Sequence, residues 1–291
     1  MGVRKLEFDS RQDWLKKRKT FLGGSEITAI LGIDDYRTPM DVWEIKTGRR
    51  MPDADNKHTL AGRFLEDGIA RYWEHETGNR IIKASGVEHT YIHPEHTFLG
   101  GSPDRRYFVG GSKDLSDRRV WEGKTTMKKI DHDDIPLSWW FQPNYYCGLL
   151  GYKKFTIAWF EFFTKELKWV EFDFNQEIYD DSITAMVDFW NDHIIEDNQP
   201  DPINTNDYKK LYPESQEGKL IVATDEVMDT YSEHITLRRQ IKEIQKLENG
   251  YKDNIKMLMK DAEKMVSPEM STLYSYKTDK RGYRKLMIKE I

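Results

Sequence analysis

Apolar and polar positions follow two rhythms along this chain, one of period two and one near three and a half. KKFTIAWFEFF (153–163) and LKWVEFDF (167–174), separated by TKE, predict two strands joined by a turn. RRYFV (105–109), RRVWEGKT (118–125) and a stretch around 87–92 predict three more, with the polar loop GGSKDLSD between the first two. Helices are announced by their ends. Asp9/Ser10 caps RQDWLKKRK, Gly23-Gly24 marks a turn before a short helix with Ser25 at its N-cap, and Thr38-Pro39 opens a helix that Gly48 closes. DADNK (53–57) reads as a loop. In GRFLEDGIARYWEHETG (62–78), Leu65, Ile69, Tyr72 and Trp73 form one apolar stripe, which leaves Glu66 at its rim. Helical stretches are also expected at 138–151 and 176–196. Helices around four or five strands make an α/β or α+β core.

The pattern changes near Asp225. Met228, Tyr231, Ile235, Ile241, Ile244, Tyr251, Ile255, Leu258, Ala262 and Met265 recur at spacings of three, four and seven, predicting one long helix with a narrow seam that kinks at Asn249-Gly250. TLYSYKTDKRGYRKLMI (272–288) predicts a β-hairpin with a basic turn. The chain thus divides into a core, 1–203, and an extension, 204–291.

Composition narrows the class. FTIAWFEFF (155–163) is too short to span a bilayer and carries Glu161, and MGVRKLEF lacks the apolar stretch of a secretory signal. A chain of 291 residues with 38% hydrophobic residues has ample material for a globular core. Cys147 is the single cysteine, which excludes disulfide frameworks and multi-cysteine metal centres within one chain and suits a reducing compartment. A net charge of −5 argues against a generally basic nucleic-acid coat but allows a local basic groove.

The candidate chemistry sits on VWEGKT (120–125). On a strand, Glu122 and Lys124 project to one side and Trp121 to the other. An antiparallel partner strand introduced by GGSPD (100–104) would bring Asp104 to the same end. Two such carboxylates can bind a hard divalent cation, with the Gly123 carbonyl as a further ligand, and Lys124 can hold a phosphate or orient a water. Taken alone, Glu-x-Lys is a common solvated face, and Glu66 an ordinary exposed acid.

Four stretches in this order, GGSEITAILG (23–32), LEDGIARYWEHETG (65–78), FLGGSPD (98–104) and WEGKT (121–125), followed by WWFQPNYY (139–146), resemble the YqaJ-like viral recombinases, the family of phage lambda exonuclease within the PD-(D/E)xK nucleases. The resemblance covers 14–200 and implies a restriction-endonuclease-like core, a mixed sheet flanked by helices. It implies that Asp104 and Glu122 are metal-binding carboxylates, that the Gly123 carbonyl is a backbone ligand, that Lys124 is the catalytic lysine, and that Glu66 assists the metal. Gln142 would position water or phosphate, although Pro143 should start or kink the helix there. Arg18, Ser25 and Ser102 would form a 5′-phosphate pocket. The implied activity is a Mg²⁺-dependent 5′→3′ exonuclease on double-stranded DNA ends, with Mn²⁺ as a substitute, leaving 3′ single strands for an annealing protein. A homo-oligomer acting in the bacterial cytoplasm, of phage or prophage origin, completes that expectation.

Two competitors remain at this level: an endonuclease with the same metal site, and a non-enzymatic DNA-end binder, whose expected mark, loss of Asp104, Glu122 or Lys124, is absent. His89, His93 and His96 with Glu95 suggest a zinc site, but Pro94 and the β-rich surroundings favour surface histidines. Asp131-His132-Asp133-Asp134 reads as a solvated loop near the active-site mouth. Lys277, Lys280, Arg281, Arg284 and Lys285 either touch DNA or solubilise the hairpin.

Overall fold

The computed structural model describes residues 3–52, 57–82, 88–112, 114–269 and 271–289. It divides into two compact units, Met1–Glu214 and Ser215–Ile291. Of the expected loop at 53–57 only Lys57 is described, and it begins a helix.

The first unit opens with β1 (Arg4–Phe8), α1 (Arg11–Arg18), a 3₁₀ turn (Gly24–Glu26) that leads into α2 (Ile27–Ile30), α3 (Pro39–Lys46) and α4 (Lys57–Thr77). Ser10 and Thr38 cap α1 and α3 as their sequence positions predict. Ser25 does not cap: it lies inside the 3₁₀ turn, and Gly23 takes the cap because Glu26 reaches back to its N–H. Then follow β2 (Arg80–Ile82), β3 (Glu88–Ile92), β4 (Gly100–Gly101), β5 (Arg105–Phe108), β6 (Arg118–Thr126), α5 (Leu137–Leu150), β7 (Lys154–Glu161), β8 (Glu166–Asp173), α6 (Gln176–Phe189), a π-type turn to Ile195, and α7 (Thr205–Leu211).

The central sheet has the order β2-β5-β6-β7-β8. All its pairs are antiparallel except β6–β7, whose parallel connection runs through α5. It is therefore mixed, with helices on both faces. On one face Val120, Phe155, Ile157 and Trp159 meet Tyr145, Tyr146, Cys147 and Leu149 of α5. On the other, Ile69, Ala70 and Trp73 of α4 meet Tyr107, Trp121 and Ala158. A second small sheet, β1-β3-β4, flanks the first.

Three expectations change. The buried face of α4 is Ile69, Ala70 and Trp73, whereas Leu65 and Tyr72 are exposed, because the helix docks through Trp73 edge-on to Tyr107 and Trp121 at 4.7 and 6.3 Å. That rotation turns Glu66 from the rim toward the sheet, since it precedes Ile69, Ala70 and Trp73 by three, four and seven residues. Next, α5 begins at Leu137, well before Pro143, which lies buried inside it. Pro143 removes one donor, to the Trp139 carbonyl, and its ring fills core volume. Lastly, α7 belongs to the first unit: Asp207 accepts the Thr38 hydroxyl at 2.9 Å and Lys210 meets Asp41 at 2.6 Å.

In the second unit α8 (Asp225–Met259) runs unbroken through Asn249-Gly250. It stops at Lys260, whose φ is +47°, so Ala262 and Met265 leave the helix, and β9 (Lys264–Val266) pairs with β10 (Thr272–Thr278) beside β11 (Arg284–Ile288). The α8 seam residues Met228, Tyr231, Ile241, Ile244, Tyr251 and Leu258 are exposed. Arg284 stacks on Tyr276 at 3.8 Å and donates to the Ala262 carbonyl at 2.9 Å, so this basic residue stitches the sheet to the helix end. Among the described residues, no helix is long and apolar enough to cross a membrane.

Candidate active site

The site begins where a sheet ladder stops. β5 and β6 pair from Phe108↔Arg118 to Arg105↔Trp121, and one further step would set Asp104 opposite Glu122. Pro103 precedes Asp104 and has no N–H to continue the ladder. From Glu122 onward β6 is paired only with β7, and its other edge is open. Glu122 is 1% exposed; its Oε1 accepts the Lys124 ammonium at 2.7 Å, while its Oε2 is buried with no hydrogen-bond partner.

Gly123, between them, lies on the α4 side of the sheet, where a Cβ would meet the Trp121 ring at 2.6 Å and Glu66 Cγ at 3.6 Å. The missing side chain makes room for the Trp121 ring, while Glu66 packs against the strand at ordinary contact distance. Arg105, buried beneath α4, donates to Glu66 Oε1 at 2.8 Å and to Asp67. Arg105 was not singled out from the sequence, where RRYFV predicts only a strand; its one signal was odd-even alternation, which puts it on the face of Tyr107.

The electrostatics show carboxylates short of positive charge. Burial, then the charges of Glu122 and Glu66, push Asp104 well above the usual carboxylate range, with Lys124 offsetting only part. Burial also raises Glu66, against the pull of Arg105. Burial depresses Lys124, but Glu122 and Asp104 outweigh it and raise the ammonium above its ordinary value. An orphaned carboxylate oxygen beside a second, unwillingly ionised acid is a donor set suited to a hard divalent cation. Among the described residues no trio of His, Cys, Asp or Glu is already gathered around one point. Mg²⁺ does not need one, because it binds through one or two carboxylates and keeps several waters.

A cleft of about 730 Å³ joins this edge to the first helices. Glu66, Asp104, Ser102, Ser25, Arg18 and Gln142 all line it, while Glu122 and Lys124 lie outside its walls, next to Asp104. Arg18 lies over the Trp14 ring at 5.2 Å and donates to Ser25 Oγ at 2.5 Å. Ser102 donates its hydroxyl to the His89 carbonyl at 2.7 Å and stands 3.4 Å from Trp14 Nε1 and 3.0 Å from Thr90 Oγ1. Gln142 reaches the wall with its Nε2 3.5 Å from the Tyr146 hydroxyl, from inside α5 rather than from a helix start. Six of the predicted residues therefore line one cleft, Glu122 and Lys124 stand beside it, and Ser25 brings no helix N-terminus.

His89 is buried and lines the cleft, unlike the surface histidine expected, whereas His93 and His96 serve the local fold. His93 Nδ1 accepts the N–H groups of Glu95 and His96 at 3.2 and 3.1 Å, and the His93 and His96 rings stack at 5.1 Å. Asp131–Asp134 is exposed and does not line the cleft.

Residues 13–148 match a family described as the YqaJ-like viral recombinase domain. The uncharacterized protein YqaJ of Bacillus subtilis (strain 168) is 29% identical over 266 residues, covering 87% of this chain and 80% of that protein. Of solved structures, LHK-Exo in complex with dAMP is similar with a TM-score of 0.50 at 14% identity, over 64% of this chain and 93% of that one. A second structure, of an alkaline exonuclease (LHK-Exo) from Laribacter hongkongensis, gives 0.49 at 14% identity, over the same shares. At 14% identity the first of these likenesses speaks for the fold alone, which agrees with the mixed sheet and flanking helices described above. The matched segment contains Glu66, Asp104, Glu122 and Lys124 and walls the cleft on both sides, and over that segment this chain is similar to the YqaJ-like viral recombinase domain.

Proposed function

We propose that this protein is a DNA exonuclease that uses Mg²⁺, or Mn²⁺ in its place, to degrade the 5′-ended strand from duplex ends and leave a 3′ single-stranded tail. The observation that carries this reading is the open edge of β6. There Glu122 keeps an unpartnered buried oxygen beside Asp104 and Lys124, next to a cleft that also holds Arg18. Asp104 and Glu122 would hold the metal, with the Gly123 carbonyl and Glu66 as further oxygen donors. When bound, the ion supplies positive charge at the phosphate and lowers the pKa of a coordinated water.

The chain's own groups supply the rest. Lys124, kept as an ammonium by its acidic neighbours, holds a non-bridging oxygen of the scissile phosphate and stabilises the charge that builds there. Gln142, on the cleft wall, orients the attacking water or the phosphate. Arg18 and Ser25 grip the terminal 5′-phosphate, and Ser102, two residues before Asp104, places that grip next to the cleavage point. A strand held by its 5′ end feeds past the metal in one direction, which is the basis for 5′→3′ polarity. A single-strand annealing protein would use the tail, and the exposed α8 seam supports a homo-oligomer, in a phage or prophage protein working in the bacterial cytoplasm.

Linear duplexes labelled at one end and phosphorylated at either 5′ end, digested with and without Mg²⁺, test the proposal. Mononucleotides should appear from 5′-phosphorylated strands only when metal is present, and covalently closed circles should survive. Nicked or linearised circles would make it an endonuclease, and release from 3′ ends would reverse the polarity.

A further inference from the structure

Two buried charges behind the cleft have no part in the chemistry above. Lys46, at the end of α3, is 3% exposed. Its three ammonium hydrogens face three acceptors: the Phe21 carbonyl at 2.6 Å, the Arg18 carbonyl at 2.9 Å and Glu26 Oε1 at 3.3 Å. Glu26 is 8% exposed, accepts the Gly23 N–H on Oε2 at 2.8 Å, and stands with Oε1 3.6 Å from the Arg18 guanidinium. Neither lines the cleft. Burial opposes ionisation of Glu26, but Lys46, Arg18 and Arg37 together hold it at about 2, so it is a carboxylate at every working pH.

A buried ion pair of this kind is a weak source of stability, because desolvation consumes most of the attraction. Its effect falls on Arg18. Without Lys46, Glu26 would offset much of the guanidinium's attraction for a phosphate dianion, since Arg37, the other cation acting on it, is itself 3.5 Å from Asp34. Lys46 cancels Glu26 instead. The guanidinium then stays charged toward the cleft, fixed by Glu26 on one side, Ser25 on another and the Trp14 ring on a third.

We propose that Lys46 and Glu26 are positioning residues for a terminal phosphate: Glu26 orients Arg18, and Lys46 offsets the carboxylate so that Arg18 keeps its net attraction. This rests on the reading of Arg18 as the 5′-phosphate grip.

Fluorescence anisotropy on the full chain in EDTA, with duplexes bearing a 5′-phosphate or a 5′-hydroxyl, tests it without cleavage. Lys46→Met should reduce the preference for the phosphorylated end by about tenfold, because it leaves Glu26 to neutralise Arg18. Glu26→Gln, whose amide oxygen still accepts from Arg18, should raise the preference by about threefold, and the double variant should return to within about threefold of the wild type. Opposite shifts are the signature of charge. Both single variants lowering the preference, or Lys46→Met leaving it intact, overturns the proposal. If Lys46→Met does not fold, Glu26→Gln decides, since a lowered preference refutes it. A wild-type protein that binds both ends alike refutes the phosphate grip itself, whatever the variants do.

Discussion

Replacing Gly123 by alanine would set a methyl group 2.6 Å from Cη2 and 2.8 Å from Cζ3 of Trp121. Carbon atoms in contact lie about 3.5–4.0 Å apart, so both distances are deep in the repulsive range. Trp121 has no room to retreat, because it is fully buried and its ring meets Trp73 edge-on at 6.3 Å. Overpacking of this kind costs about 1–3 kcal/mol, of which alanine in a strand returns about 0.5–1 kcal/mol relative to glycine. The net is roughly 0.5–2 kcal/mol. For a unit spanning Met1–Glu214 that is a fall in Tm of about 1–8 °C, measured by circular dichroism in EDTA. Relief of the clash by a strand shift moves the Gly123 carbonyl, so calorimetric Mg²⁺ titration should show weaker binding. Trp121→Phe withdraws both clashing atoms. Added to Gly123→Ala it should recover at least about 0.5 kcal/mol relative to the sum of the single changes. Additive losses, or Gly123→Ala with wild-type Tm and Mg²⁺ affinity, would refute the account of Gly123 as the space that the Trp121 ring fills.

Asp104→Asn should abolish cleavage and, in EDTA at pH 8, melt no lower than the wild type. The folded Asp104 titrates above its ordinary 3.8, so its contribution is complete below 3.8 and is lost as pH rises through the folded value. The wild-type Tm in EDTA should therefore fall more steeply with rising pH than that of the variant, and parallel curves would count against the cluster. Lys124→Ala should lower turnover by about 10²–10³ with Mg²⁺ affinity little changed, and Lys124→Arg should not restore it; weakened affinity at an unchanged maximal rate would reassign the residue. Arg18→Ala should erase the preference for 5′-phosphorylated ends and shorten each run of digestion, and a variant that keeps the preference removes the pocket. Ile241→Glu with Ile244→Glu in the full chain should lower the mass seen by light scattering, because both stand on the exposed α8 seam, and an unchanged mass rules out self-association through it.

How much of this was legible beforehand depended on how local each signal is. Period-two alternation was enough to place Glu122 and Lys124 together, and one strand-pairing assumption brought Asp104 to them. The face of α4 was misjudged because its neighbours, Tyr107 and Trp121, come from strands distant in sequence, and it is aromatic packing with Trp73 that sets the rotation. Strands β1 and β2 are short and exist through partners far along the chain, so their own residues announce little. Lys46, Glu26 and Arg105 look like surface charges in a one-dimensional reading, since nothing local shows that each is buried against an opposite charge. The end of α8 at Lys260 could not be read from the seam, which continues in register while the backbone does not.

Ser102 carries a consequence for the kinetics of any ligand it meets. Its hydroxyl hydrogen already rests on the His89 carbonyl, with Trp14 and Thr90 around its oxygen. To donate to a phosphate it must leave that carbonyl, so capture exchanges one hydrogen bond for another and gains little beyond the charge-assisted increment. Ser25 differs: its Oγ accepts from Arg18, and its hydroxyl faces Glu26 Oε2 at 3.4 Å before any ligand arrives. Under the proposed exonuclease reading, the serines would add discrimination between ends, and the holding force would rest on Arg18.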